Sequence, residues 1–327
     1  ARPVPRRSPL NEPIREPIRM TEDAAGMVVR RLRPDEAAAV VDCFRRVYGE
    51  SYANELFYDV AGLTEALRQR RVGSVGAFGE AGILLGHMAM TVHPEASVVE
   101  LGNTVVDPDA RGAGIAWKVG AELSAWCREL GYQGFLHYPT TDHHIMQRQS
   151  VKAGFEVGLM LGYIPAETYG KVAGRESAGR ESAGRQAATI VYEPYGPGAR
   201  FDGFAPADYL ALLEELTAVT GLPRRWQVSE SSPEGEGKGH LRVFTKRGLH
   251  RYEIVQIGDS LAAKLESLST SQAPCLQVDF PLADPAIGVG VKIARDLGFR
   301  FCGWLPGFRA GDVLRLQRVT EAVTDLS

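Results

Sequence analysis

The chain has 327 residues, enough for two domains of ordinary size, and its 44% hydrophobic and 24% charged residues are the balance of a folded globular protein. A formal net charge of -3, from 37 Lys and Arg against 40 Asp and Glu, gives no general pull toward nucleic acid or anionic lipid. No apolar run is long enough to span a bilayer as a helix, and Cys43, Cys127, Cys275 and Cys302 show no metal-ligand spacing, so neither a membrane nor a metal is expected.

Ala1 to Arg19 carries arginines and prolines without an apolar core, so it is no secretory signal; residues 1–26 read as a flexible arm. With no signal and no disulfide framework, the cytoplasm is the expected compartment. Cys43 and Cys127 fall in apolar helical patterns and are expected to pack as small hydrophobes.

The first half alternates strands and helices. Met27 to Leu32 is a β-type run. Pro34-Asp35-Glu36 opens a helix with Val40, Val41, Phe44, Val47 and Tyr48 on one face, and Gly49 closes it. A second helical stretch covers Leu63 to Gln69. Val72 to Phe78 and Ile83 to Val92 read as a hairpin joined at Gly79 to Gly82, and Ser97 to Val106 as a further Val-rich strand. A turn-forming segment, Asp107 to Gly114, then leads into a helix with Ile115, Val119, Leu123, Trp126, Cys127 and Leu130 on one face and Gly131 as its stop. Phe135 to Tyr138 is a strand, with His137 packed or facing solvent; His143 to Ala153 is a helix, and Glu156 to Ile164 and Ala188 to Tyr192 are strands.

Between those last two strands, residues 173–185 repeat Ala-Gly-Arg-Glu-Ser with little that could enter a core, and read as a solvated loop. Tyr195 to Ala199 reads as a linker, which puts a boundary near 197. Beyond it, Asp284 to Pro306 echoes Asp142 to Pro165: a helix, then Gly-Phe, then a strand ending in Pro. Leu261 to Leu268 as a helix, Cys275 to Phe280 as a strand and Val313 to Val319 as a final strand complete the echo. Duplication of one fold is the simplest account.

The chemistry is carried by Arg111-Gly112-Ala113-Gly114-Ile115-Ala116. Pro108 breaks the preceding strand, the glycines let backbone N–H groups converge, and the helix start behind them adds unpaired donors and a positive dipole end. Together these make an anion site suited to a diphosphate; the competing reading is a plain strand-to-helix turn. A second match, Arg200-Phe201-Asp202-Gly203-Phe204-Ala205, follows a Pro/Gly linker, and Pro206 and Asp208 delay any helix.

Val106 to Ala116 resembles the signature loop of the GNAT N-acetyltransferase superfamily, Val-x-Pro-x-x-Arg-Gly-x-Gly, and the element order of residues 27–195 is similar to that family's. The whole chain resembles the tandem members of that family found in actinobacterial secondary-metabolite clusters. The resemblance implies an α/β fold of two GNAT-like domains, each a mixed, mostly antiparallel twisted sheet with flanking helices. Residues 27–196 would bind coenzyme A, and residues 197–327 would be degenerate. It implies transfer of the acetyl group of acetyl-CoA to a small-molecule amine, by direct attack in a ternary complex.

On that resemblance Thr104, Val105 and Val106 hold the pantetheine arm, with His143 beside it, and the backbone of Arg111, Gly112, Ala113, Gly114, Ile115 and Ala116 holds the diphosphate. Glu100 is the candidate general base, with His143 or His144 as the alternative. Ser150 stands where relatives often carry a Tyr that protonates the leaving thiolate, and fits that task poorly. Tyr52, Glu55 and Tyr58, with Tyr48, are expected to line the acceptor side, and the loop at 173–185 to cover it. The second half lacks the Pro, the converging glycines and the Arg. Asp259 is expected to cap its corresponding helix and so to repel a diphosphate. A non-catalytic acyl-CoA binder, or an enzyme using another acyl-CoA, is the alternative.

Overall fold

The Val-rich runs and glycine stops of the first half become strands and helices in the expected order. The computed structural model of the chain describes residues 21–22, 26–141, 144–168, 184–320 and 323–325. They form two compact units, the first holding residues 21–22, 26–95, 99–132 and 167–168 and the second 96–98, 133–141, 144–166, 184–320 and 323–325.

In the first unit the elements are β1 (Thr21–Glu22), β2 (Val28–Arg31), α1 (Ala37–Tyr48), α2 (Val60–Arg68), β3 (Val72–Phe78), β4 (Leu84–Val92), β5 (Val98–Val106) and α3 (Ile115–Glu129). The strands pair antiparallel in chain order from β1 to β5. The start of α1 is set by Pro34 and by Glu36, whose carboxylate accepts from the Arg33 N–H at 2.8 Å and from Arg30 at 2.6 and 2.9 Å. Asp59 caps α2 by accepting from the Gly62 N–H at 2.9 Å. The apolar stripe of α1 (Val40, Val41, Phe44 and Val47) is buried in one cluster with Phe57, Leu63, Leu67, Ala89 and Val105. At about 1.5–3 kcal/mol for each large side chain removed from water, this cluster contributes substantially to the folding of the unit.

On α3, Ile115, Val119, Leu123, Trp126 and Cys127 are buried as the periodicity predicts. Arg31 on β2 fastens the far end of that helix, 3.0 Å from Glu122 and 2.6 Å from Glu129, with its guanidinium 4.9 Å from the Trp126 ring centroid.

The second unit contains β6 (Gly134–His137), α4 (His144–Ala153), β7 (Phe155–Pro165), β8 (Arg185–Pro194), β9 (Phe201–Ala205), α5 (Leu210–Thr220), β10 (Arg224–Val228) and β11 (Lys238–Phe244). It continues with β12 (Leu249–Gln256), α6 (Leu261–Ser269), β13 (Cys275–Pro281), α7 (Ile287–Asp296), β14 (Arg300–Leu305), β15 (Val313–Val319) and β16 (Val323–Asp325). Its main sheet runs β6-β8-β7-β14-β15-β13-β12-β11, with β16 alongside β8 and a separate parallel pair of β9 and β10. The sheet is mixed, since β12 and β13 run parallel while most neighbours run antiparallel. Strand β9 begins immediately after the glycine linker, where no strand was expected.

Period-2 alternation gives β12, β13 and β15 two unlike faces. Leu276, Val278, Phe280, Leu314 and Leu316 form the apolar one, while Arg251, Glu253, Gln277, Asp279, Arg315 and Gln317 form a polar one that is buried too. Arg315 clasps Asp279 at both oxygens, at 2.6 and 2.7 Å. Arg309 lies 2.6 Å and His240 2.8 Å from Glu253. One expectation is corrected: Asp259 does not cap α6. The N-cap is Ser260, which makes no side-chain cap, and the Asp259 N–H is instead drawn to the Gly235 carbonyl at 2.8 Å.

Candidate functional site

Strand β5 bends before it reaches the glycine loop. Against β4 the register runs Gly86↔Val106 and His87↔Val105, then jumps to Ala89↔Gly102, so β5 carries one extra residue in a β-bulge. Asn103, within the bulge, has a left-handed backbone with φ +50°, a conformation Asn tolerates better than most residues.

The bulge is held from below by a buried imidazole. His87 Nδ1 is 3.0 Å from the Asn103 carbonyl oxygen, and its Nε2 is 3.0 Å from Ser74 Oγ. A carbonyl only accepts, so Nδ1 carries the proton and Nε2 accepts from the Ser74 hydroxyl. Complete burial pulls the His87 pKa down to about 4, against a smaller upward pull from the Asn103 hydrogen bond; the ring is therefore neutral near pH 7. The Asn103 side chain is tied as well: its Oδ1 accepts from Asn54 Nδ2 at 2.9 Å and from the Tyr52 hydroxyl at 3.3 Å. Phe44 and Phe57 pack at 5.7 and 5.6 Å from the His87 ring, closing the pocket to water.

Beyond the bulge, the Asp107 N–H still pairs with the Leu85 carbonyl at 2.8 Å, and Pro108 then turns the chain into a short 3-10 segment, Pro108–Ala110. The Asp107 carboxylate accepts from the Asp109 N–H at 3.2 Å and pairs with Arg46 at 3.1 Å, so its charge is opposed at the loop entrance. Arg46 is itself anchored on the Leu84 carbonyl at 2.6 Å.

Gly112 and Gly114 take φ +86° and +71°, and a Cβ at either would meet nothing within 4 Å. The requirement for glycine is thus conformational, and the space around it is open. Arg111 to Gly114 are exposed. Among the described residues, the N–H groups of Gly112, Ala113 and Gly114 donate to no protein acceptor, and the first helical bond of α3 is Lys118 N–H to Gly114 O at 3.0 Å. Consecutive unpaired donors from Gly112 to Trp117 thus gather at the positive end of a 15-residue helix. Ile115 fixes their direction. It is buried, and its γ-methyl lies 2.3 Å from where a Cβ on Gly86 would stand, so β4 and the start of α3 are in direct contact.

Of the expected site residues, Thr104 falls within the bulge of β5 and Val105 and Val106 immediately after it, leading into the loop of Arg111, Gly112, Ala113, Gly114, Ile115 and Ala116. Glu100 is half-buried on β5, its Oε2 2.6 Å from Nε2 of the buried His93. Tyr52 is buried among the aromatic rings, its centroid 4.8 Å from that of Phe44, and its hydroxyl reaches the bulge. Tyr58, half-buried, accepts the Tyr52 N–H at 2.9 Å, while Glu55 is exposed on the same 3-10 turn. Tyr48 donates to the Thr104 carbonyl at 3.4 Å.

Ser150 is buried on α4, in the second unit. His143 lies outside the described residues, as does the repeat loop up to residue 183; of His144 the helical backbone alone is described. His137, for which packing and exposure were both open, is half-buried, with a pKa pulled down to about 4 by burial. His87, Ser74, Asn54, Asn103 and Arg46 are functional-site neighbours that the sequence did not single out. All four cysteines are buried and free, as the packing role of Cys43 and Cys127 requires.

Residues 37–151 match the family model described as the acetyltransferase (GNAT) family. This agrees with the resemblance carried by Val106 to Ala116, which lie inside that span. No curated protein matches the chain. Solved structures similar to part of it include the PaiA N-acetyltransferase of Thermoplasma acidophilum in complex with coenzyme A. That pair shares 15% identity at a TM-score of 0.37, over 52% of this chain and 99% of that one. The ribosomal-protein-S18-alanine N-acetyltransferase of Escherichia coli shows 14% identity and a TM-score of 0.40 over 54% and 99% of the two chains. A phosphinothricin acetyltransferase of Sinorhizobium meliloti in complex with acetyl-CoA shows 17% and 0.40 over 53% and 90%. Among the described residues no helix is long and apolar enough to cross a membrane, and no group of three or more His, Cys, Asp or Glu could hold a metal ion.

Proposed function

We propose that this chain is an acetyl-CoA-dependent N-acetyltransferase acting on a small-molecule amine, by direct attack in a ternary complex. The observation that carries the reading is the run of unpaired N–H groups from Gly112 to Trp117 at the start of α3, inside the acetyltransferase match. A diphosphate needs several convergent donors and no carboxylate facing it. Arg46 opposes the charge of Asp107, the carboxylate bound into the loop entrance.

On this reading the backbone of Arg111 to Ala116 holds the diphosphate, and Thr104, Val105 and Val106, with His143, hold the pantetheine arm. Acetyl-CoA supplies the acyl group as a thioester already activated for attack. Glu100 accepts the proton of the incoming ammonium, and His93, at 2.6 Å, orients that carboxylate. Tyr52, Glu55 and Tyr58 belong to the acceptor side, where Tyr52 acts through the Asn103 side chain and Tyr58 through the Tyr52 backbone. Ser150 or water returns a proton to the leaving thiolate.

Residues 27–196 form the coenzyme-binding domain in this account and 197–327 a degenerate copy. The order β12, α6, β13, α7, β14, β15 supports duplication, since it repeats β5, α3, β6, α4, β7, β8. A role in secondary metabolism and a cytoplasmic location, where acetyl-CoA is made and used, go with the same proposal.

A second reading is a non-catalytic acyl-CoA binder, favoured by a buried Ser150 in place of a tyrosine; use of another acyl-CoA is a variant of the first. Thiol release from acetyl-CoA against a panel of amines decides between them. Amine-dependent release that falls strongly in Glu100→Gln supports the enzyme. Tight binding with no release on any amine supports the binder.

A further inference from the structure

Trp117, the third residue of α3, exposes 76% of its surface, more than any other large hydrophobic side chain among the described residues. A tryptophan is among the largest contributors of apolar area, so leaving one in water forgoes stabilisation that a surface of average composition would not. The buried stripe of α3, from Ile115 through Val119 and Leu123 to Trp126, occupies the other side of the helix. Helical side chains lean toward the N-terminus of their own helix, over the preceding turn. For Trp117 that turn is the glycine loop with its unpaired N–H groups, and Arg111 and Lys118 bring positive charge to the same end.

We infer that Trp117 is the platform on which the adenine ring of coenzyme A stacks, so that the site reads the nucleotide end of its cofactor as well as the diphosphate. The inference rests on the proposed diphosphate site. An indole beside a diphosphate cradle offers a flat apolar face to a base that emerges from the same phosphates. Such stacking gives a ligand carrying adenine an advantage over one ending at the phosphopantetheine phosphate. The site would then take free acyl-CoA and disfavour the same acyl arm presented without its nucleotide.

The test is binding, read by calorimetry and by tryptophan emission, with coenzyme A and with 4′-phosphopantetheine as separate probes. The other tryptophans are less exposed, Trp126 and Trp304 being buried and Trp226 half-buried, so an emission change lost in Trp117→Phe reports on residue 117. Trp117→Ala is expected to weaken coenzyme A roughly tenfold, to leave 4′-phosphopantetheine binding unchanged, and to keep the wild-type circular dichroism spectrum. Trp117→Phe should retain most of the affinity. Equal affinity of wild type and Trp117→Ala for coenzyme A would overturn the inference and leave the diphosphate site standing. An equal loss on both probes would overturn it as well, by showing that Trp117 supports the loop and not the base. Absence of coenzyme A binding in the wild type would remove the diphosphate site itself, and the inference with it.

Discussion

His87 donates from Nδ1 to the carbonyl oxygen of Asn103 at 3.0 Å, and so a neutral ring buried under the sheet holds the left-handed residue that bends β5 toward the glycine loop. Both ring nitrogens are engaged, the second by Ser74. Replacing the ring by a hydrocarbon leaves a carbonyl and a hydroxyl buried without partners, at about 1–3 kcal/mol each. His87→Leu is therefore expected to lower unfolding stability by about 2–4 kcal/mol in urea titrations. It should also weaken acetyl-CoA binding, because the strand that positions Thr104 to Val106 loses its support. His87→Gln, which can replace one bond, should fall between the variant and wild type.

The same ring gives the protein a pH dependence of known sign. The folded His87 has its pKa lowered to about 4, while the unfolded side chain titrates near 6.5. Between those values the unfolded chain binds more protons, so stability falls as pH drops from about 6.5 to 4, by up to about 3 kcal/mol, and is unaffected above that window. His137 carries a shift of the same direction and size. Unfolding curves at pH 7, 6, 5 and 4 should show the loss, and His87→Gln should show a shallower one.

Local constraints were legible in the sequence and cross-strand ones were not. Pro108, Gly112, Gly114 and the stripe from Ile115 to Cys127 lie within one continuous segment, so their meaning could be read without partners. The bulge is made by residues from three strands and the segment after α1, namely Ser74, His87, Asn103, Asn54 and Tyr52, and no spacing rule links them. Tyr52 drew notice as a wall for the acceptor, yet its ring is buried among Phe44 and Phe57 and only its hydroxyl is turned to the bulge. Strand β9 has no local signature, because Phe201 to Ala205 follows a Pro/Gly linker and pairs with β10, which carries no strong alternation of its own. The capping role expected of Asp259 is absent because α6 starts one residue later than that reading needs, with Ser260 at the N-cap.

Contact between Gly86 and Ile115 offers a way to move the loop without touching it. A valine side chain at residue 86 would occupy the place of the Ile115 γ-methyl and must push the first turn of α3 outward. Gly86→Val is expected to cost about 1–3 kcal/mol in stability and to lower acetyl-CoA affinity by more than its effect on folding explains. Calorimetry at a temperature where the variant is fully folded measures this. Gly86→Ala should show the smaller effect of the same sign.

In the second unit, the buried pair of Asp279 and Arg315 makes a separate prediction. Burial alone would raise the Asp279 pKa, but Arg315, helped by Arg251 and Arg309, outweighs it and holds the carboxyl below its ordinary value. Its contribution to stability is accordingly present above the carboxylate range of the unfolded chain, and lost as pH falls through the lower folded pKa. Arg315→Met leaves a buried carboxylate without its bidentate partner and is expected to destabilise by about 3–5 kcal/mol, whereas changing both, Arg315→Met with Asp279→Leu, should recover much of the loss. Thermal unfolding of the three proteins checks the order.

The account stands most directly on acetyl-CoA binding at the start of α3. Isothermal titration of the wild type and of Gly114→Glu with acetyl-CoA measures it, with circular dichroism to confirm that both are folded. Saturable binding by the wild type, abolished when a carboxylate replaces the exposed glycine among the donors, is the predicted result. Unchanged affinity in Gly114→Glu would contradict it.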